Sequence, residues 1–474
     1  MTIVLTLLGY FSALLLLSRM TTRHATNDTF YRGNRQSPWY LVAFGMIGAS
    51  VSGVTFVSVP GMVNTIGMTY LQTCLGFVLG YVAVAFVLLP IYYRLNLTTI
   101  YTYLQQRLGT RSYKTGAWFF LLSKMSGSAV KFYVVCMLLQ RFVLDAIGVP
   151  FMVTALVLVS LIWLYTRRGG IKTLVWTDTF QTFCMFTALI FIIVQVMSML
   201  DMNVVEAVKA IAQDDRSRIF VFDDWLSKQN FWKQFVSGIF IVIVMTGLDQ
   251  DMMQKNLTCK TLREAQKDMC TYGLAFVPVN FLFLALGVLL SMLAGQQGVP
   301  LPSAGDELLP MFAATGELGT MVVMFFTIGI VAASFSSADS ALTALTTTYC
   351  VDICQKPADE RLRHRVHAAM GVVFVLFILM FRTFNSTNLI DAIYILVSYT
   401  YGPLLGLFAF GLLTKYRVND RWVSYLAIAA PVLCYVLDAV AQHVWNYHFG
   451  YELLLLNGLL TFVGLYLTRK KDVL

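Results

Sequence analysis

The stretch GIVAASFSSADSALTALTTTYCVD, Gly329 to Asp352, lies inside an apolar segment long enough to cross a bilayer, yet it carries Ser334, Ser336, Ser337, Ser340, Thr343 and Asp339. On a helix, Ala333, Ser336, Ser337 and Ser340 fall at i, i+3, i+4 and i+7 and share one face. That face offers small hydroxyls and backbone carbonyls, the oxygen ligands that hard cations take. A carboxylate at membrane depth is costly and marks an ion pathway or an ionic partner. Serines alone on a membrane helix do no more than let neighbours approach closely. The aspartate among them turns the reading towards a cation site.

The chain has 474 residues, of which 58% are hydrophobic and only 12% charged. Its apolar runs are ~20 residues long, the length of a membrane-crossing helix, where a barrel strand needs ~10. This is an all-α polytopic membrane protein of about thirteen transmembrane helices. The segments lie at 3–19, 38–64, 68–92, 117–147, 151–166, 173–200, 232–255, 270–294, 308–350, 366–383, 387–414, 422–443 and 450–468. The ninth is too long for one crossing and is expected to include non-spanning turns. The first, Ile3 to Leu17, lacks a basic n-region and a small-residue cleavage site, and reads as a retained helix. The eight cysteines form no CxxC pair and read as reduced core residues.

Charge sets the orientation. Alternate loops are basic: Arg19, Arg23, Arg32 and Arg35; Arg94, Arg107, Arg111 and Lys114; Arg167, Arg168 and Lys172; Lys255, Lys260, Arg263 and Lys267; Lys356, Arg361, Arg363 and Arg365; Lys415, Arg417 and Arg421; Arg469, Lys470 and Lys471. By the positive-inside rule this face is cytoplasmic, the N-terminus outside and the C-terminus inside, in a cell (inner or plasma) membrane. The net charge of +9 is therefore a topology signal and implies no nucleic acid.

Two segments look interrupted. LVAFGMIGASVSGVTFVSVPG, 41–61, is punctuated by Gly45, Gly48, Gly53, Pro60 and Gly61, and GIFIVIVMTGLDQDMMQKNL, 238–257, carries Thr246, Gly247, Asp249 and Gln250. Broken membrane helices occur where backbone lines a cavity, and their freed carbonyls bind cations. The two breaks open two groups of five spans, 38–200 and 232–416. The chain then divides into an extra first helix and loop (1–37), a first repeat, an outer loop (201–231), a second repeat and C-terminal helices (417–474). Five spans is an odd number, so the halves cross in opposite senses, the inverted-repeat plan of secondary transporters. Lys124 and Lys131 lie seven apart near one face of the fourth span, where a deep lysine meets an anionic substrate or a carboxylate unless it snorkels; Arg141 reaches the outer interface. Asp178 lies within the sixth span, a cation ligand, proton site or ion-pair partner.

Five stretches resemble the sodium/solute symporter family, which includes sodium-coupled carriers of sugars, proline, sialic acid, iodide, monocarboxylates and vitamins: GASVSGVTFVSVPG at 48–61, GGIKTLVWTDTFQ at 169–181, GLDQDMMQKNLTCKTLREAQK at 247–267, SSADSALTALTTTYCVDI at 336–353 and, more weakly, YGPLLGLFAFG at 401–411. The resemblance implies a five-plus-five inverted repeat (LeuT-like) with an additional N-terminal helix. It implies a main sodium site made by the carbonyls of Gly48, Val51 and Ala333 with the side chains of Ser336 and Ser337. It implies a second sodium site in some members, here Asp178 with Ser336, Asp339 and Ser340, although Asp339 stands where such members have serine. An extra carboxylate either strengthens that site or takes a proton. Positions matching an asparagine and a tyrosine of the sugar carriers hold Val242 and Met245, which disfavours a sugar. Ser50, Ser52 and Thr55 are expected to line the cavity, with Lys131 and Gln72 as further substrate contacts.

The reading is a monomeric carrier that couples sodium to import of a small organic anion, monocarboxylate- or sialic-acid-like, by alternating access. The rivals are a sugar or polyol symporter, or a proton-coupled carrier of the same fold using Asp178 and Asp339. A membrane enzyme is disfavoured because none of His24, His364, His367, His443 and His448 pairs mid-membrane with a serine or aspartate. A sensor is disfavoured because the chain ends at LTRKKDVL, leaving no room for a signalling domain.

Overall fold

The computed structural model describes residues 2–22, 25–145, 148–384, 389–445, 447 and 449–470. Arg23, His24, His448 and Lys471 lie outside them. In chain order the membrane helices, with the two halves of each bent pair counted separately, are α1 (Thr2–Thr21), α2 (Trp39–Ser50), α3 (Gly53–Ile66), α4 (Tyr70–Arg94), α5 (Thr110–Leu139), α6 (Phe151–Thr166), α7 (Ile171–Met199), α8 (Phe231–Gly247), α9 (Gln250–Asn256), α10 (Leu262–Gln297), α11 (Thr320–Ile353), α12 (Glu360–Phe384), α13 (Leu389–Leu413), α14 (Val423–Trp445) and α15 (Leu453–Leu467). Among the described residues, eight helices are long and apolar enough to span. The bent pairs α2–α3 and α8–α9 each make one more, and α1, α6 and α15 are shorter apolar helices. These account for the thirteen apolar segments. The ninth resolves into a short helix at Leu308–Ala313 and then α11, with a 3-10 turn at Gly305–Glu307 just before it.

The radial order of polarity is that of a protein in lipid. α14 presents Tyr425, Ile428, Val432, Leu433, Tyr435 and Val436 outwards, while Asp178, Lys255 and Asp339 are buried inside. In lipid the backbone must satisfy itself, and the two helix breaks lie in the buried interior. The interior is the bundle in which α7 packs on α11 and α2, α4 on α8, and α10 on α3.

Both interruptions are present, bending the chain by 62° between α2 and α3 and by 69° between α8 and α9. The first falls at Val51 (φ −76°, ψ 87°) and Ser52 (φ −77°, ψ 170°), and Ser52 caps α3 by accepting from the Thr55 amide. The glycines around it do different work. A Cβ on Gly48 would lie 2.0 Å from Thr182 Oγ1, and one on Gly53 would lie 2.0 Å from Ser334 Oγ. They let α2 and α3 sit directly on α7 and α11, so the break is flanked by close-approach glycines and hinges at its neighbours.

Gly48→Ala should therefore lower the thermal midpoint of the detergent-purified protein, with an overpacking cost of about 1–3 kcal/mol. Thermal unfolding followed by intrinsic fluorescence checks this, and an unchanged midpoint contradicts the contact.

Candidate functional site

A cavity of about 120 Å³ opens beside the first break. Ala49, Ser50, Ser52 and Thr55 line one side, Tyr70, Phe77, Tyr81 and Phe276 give it an aromatic wall, and Val242, Met245 and Thr246 come from α8. Four charged side chains also line it: Lys124, Lys131, Asp249 and Asp251. Lys124 Nζ lies 2.6 Å from Asp251 Oδ2 and 3.1 Å from Asp249 Oδ2. Asp249 also accepts from Tyr401 at 2.6 Å, and its other oxygen caps α9 through the Asp251 amide. Lys124 is thus a structural cation shared by two carboxylates, not a snorkelling one. Lys131, two turns further along α5, has no hydrogen-bond or ion-pair partner among the described residues.

The two breaks handle their orphan carbonyls differently. At the second, Tyr92 donates to the Gly247 carbonyl at 2.9 Å and Tyr101 to that of Leu248 at 3.0 Å. At the first, no backbone N–H among the described residues donates to the carbonyls of Gly48 or Val51. Facing them, Ser337 Oγ lies 2.8 Å from the Ala49 carbonyl and 3.3 Å from that of Ala333. Carbonyl and hydroxyl oxygens from a broken helix and its neighbour, at the cavity edge, are the donor set a hard monovalent cation needs. Of the residues implied for the main sodium site, Ser337 and the Ala333 carbonyl meet the break at the Ala49 carbonyl, which the sequence reading did not name, while Ser336 does not join them.

Ser336 turns the other way. Its hydroxyl donates to Asp178 Oδ1 at 2.8 Å, and Lys255 Nζ lies 2.7 Å from Asp178 Oδ2. Asp339 accepts from Tyr165 at 2.6 Å and from Ser340 at 3.2 Å. Asp178, Ser336, Asp339 and Ser340 are brought together as one buried cluster away from the cavity lining, with a lysine inside it. Lys255, read from sequence as one of the basic loop charges, is 2% exposed. The signal that would have found it is its place on the short second half of a broken helix, four residues after Asp251 and therefore on the same face.

Ser50, Ser52, Thr55 and Lys131 all reach the cavity. Ser50 is already hydrogen-bonded to Tyr272, which receives a further bond from Tyr81 at 2.7 Å. Gln72 is placed elsewhere: its amide donates to the Gln229 carbonyl at 2.9 Å and accepts from the Val221 amide at 3.1 Å, tying α4 to the 201–231 segment. His367 has both ring nitrogens on threonine hydroxyls, Thr166 and Thr346, and faces no nucleophile–acid pair.

Two broken helices crossing a bundle, with a cavity and an oxygen-lined ion site at one break, define a secondary transporter. The sodium:solute symporter family model matches residues 30–421, and the chain belongs to that family. It is a sodium-coupled carrier, not an enzyme. It is 25% identical to the sodium/sialic acid symporter NanT of Aliivibrio fischeri over 436 residues, covering 87% of this chain and 83% of that one. It is 26% identical to sodium-coupled monocarboxylate transporter 2 of Bos taurus over 432 residues, covering 85% and 66%. Among solved structures, a sodium-coupled sialic acid symporter in a substrate-bound outward-open state superposes with TM-score 0.83 at 20% identity, covering 100% of this chain and 99% of that one. Mhp1, a nucleobase-cation-symport-1 transporter, superposes with TM-score 0.58 at 15% identity, covering 93% and 92%. The fold is the five-plus-five inverted repeat.

Breaking one side of a buried ion pair leaves a charge without compensation and costs about 3–5 kcal/mol. Lys124→Met should lower the thermal midpoint on that scale, and adding Asp251→Asn should recover part of the loss. Equal midpoints for the single and double variants contradict the pairing.

Proposed function

We propose that this carrier imports a small organic monoanion with sodium. The observation that carries the reading is the unpartnered ammonium of Lys131 in the cavity that the main ion site borders. Lys124 and Lys131 balance Asp249 and Asp251 in the lining, so sodium at the adjoining break leaves one positive charge for a carboxylate to neutralise. An ionised hydrogen bond in such a site is worth about 1.5–3 kcal/mol. The hydroxyls of Ser52 and Thr55 are the next contacts, and the aromatic wall takes the apolar part of the solute. Both named relatives that carry organic anions agree with this choice. A sugar or polyol is less favoured, because Val242 and Met245 give the cavity apolar surface where that branch places polar side chains.

Ser337 and the Gly48–Val51 carbonyls hold sodium in the state that accepts substrate, which ties α2 and α3 to α11. Lys131 then receives the anion. Coupling is linkage: each ligand favours the same conformer, so each raises the affinity of the other. The moving halves are 38–200 and 232–416. The membrane is the cell membrane, with the basic loops cytoplasmic, the N-terminus outside and the C-terminus inside. One chain is the functional unit, because ion site and cavity both lie within it.

The test is radiolabelled uptake into proteoliposomes, screening small organic acids and sugars with and without an inward sodium gradient. Lys131→Met should raise the half-saturating acid concentration about tenfold or more, and Lys131→Arg should restore it. Ser337→Ala should abolish the sodium dependence. Uptake driven equally by a proton gradient without sodium would overturn the reading in favour of a proton-coupled carrier.

A further inference from the structure

We infer that Lys255 is a built-in cation that occupies the second ion position of this carrier, which therefore binds a single sodium, at the α2–α3 break. The inference rests on the sodium-coupled reading above. Its ammonium lies 2.7 Å from Asp178 Oδ2, with both side chains almost wholly buried. The other Asp178 oxygen is taken by Ser336 at 2.8 Å. Gln181, with its amide turned to satisfy both ends, adds a donor 3.3 Å from the same oxygen and accepts from Tyr10 at 3.3 Å.

The hydroxyl protons of the cluster point at carboxylates. Ser336 points to Asp178, and Ser340 and Tyr165 point to Asp339. A sodium ion here would have to compete with these bonds for the same oxygens. It would also share Asp178 with an ammonium at contact distance, in a region of low dielectric where like charges repel strongly. Asp339 follows from the same arrangement. It gives the buried cluster a second carboxylate, each of whose oxygens accepts one hydrogen bond, from Tyr165 and from Ser340. The residues that resemble a second sodium site thus do not fit a second sodium ion while Lys255 is in place.

The ion count is read by equilibrium binding of radiolabelled sodium to the purified full-length protein in detergent, without substrate. One sodium per wild-type chain, lost completely in Ser337→Ala, is the expected result. Lys255→Met removes the ammonium beside Asp178. That variant should bind two sodium ions, and Ser337→Ala/Lys255→Met should keep one. Two ions per wild-type chain, or one retained by Ser337→Ala, overturns the inference. If Lys255→Met does not fold, the wild-type and Ser337→Ala counts decide alone. No sodium bound by the wild type would refute sodium coupling itself, a failure distinguishable from a count of two.

Discussion

Backbone carbonyls are costly to leave bare inside a membrane, and at the α2–α3 break those of Gly48 and Val51 receive no backbone donor among the described residues. In hydrocarbon each unsatisfied peptide group costs several kcal/mol, so a helix is broken only where something else serves its ends. At the α8–α9 break Tyr92 and Tyr101 serve the carbonyls of Gly247 and Leu248. At the α2–α3 break that service is partial, from the Ser337 hydroxyl on Ala49. The difference separates a structural kink from an ion site. The glycines of α2 and α3 bring that break against α7 and α11, and the cavity opens beside it.

The second constraint is charge. Four ionisable side chains line the cavity, and three more make the Asp178 cluster. Two lysines from different elements, Lys124 on α5 and Lys255 on α9, reach carboxylates on others and hold the bundle together through α9. Such pairs do not compete in stability with well-packed apolar residues, so their presence points to function. α9 is a seven-residue helix that carries Asp251 to the cavity and Lys255 to the cluster. A movement of this one segment would couple the two sites.

Much of this was legible in the sequence, and for identifiable reasons. Hydropathy gives the spans, because a bilayer selects length and composition directly. The two interruptions stood out as glycine and polar residues inside apolar runs, and the oxygen face of Ala333, Ser336, Ser337 and Ser340 follows from helical spacing. What spacing does not give is which neighbour a side chain turns to. Ser336 and Ser337 are adjacent, yet one faces Asp178 and the other the break. Lys255 looked like a loop charge because an end-of-span lysine usually is one; a bent short helix carries it inwards instead. Gln72 was polar in an apolar span, and the residues that satisfy it, Val221 and Gln229, lie about 150 positions away in the chain.

The central claim is that sodium binds across the first break. Amide hydrogen exchange in detergent, compared between sodium chloride and choline chloride, tests it without knowledge of the substrate. The account predicts that sodium slows exchange at residues 49–56 and 333–337, and that Ser337→Ala removes the difference. No difference in the wild type, or protection confined to the neighbourhood of Asp178 and Asp339, would contradict it.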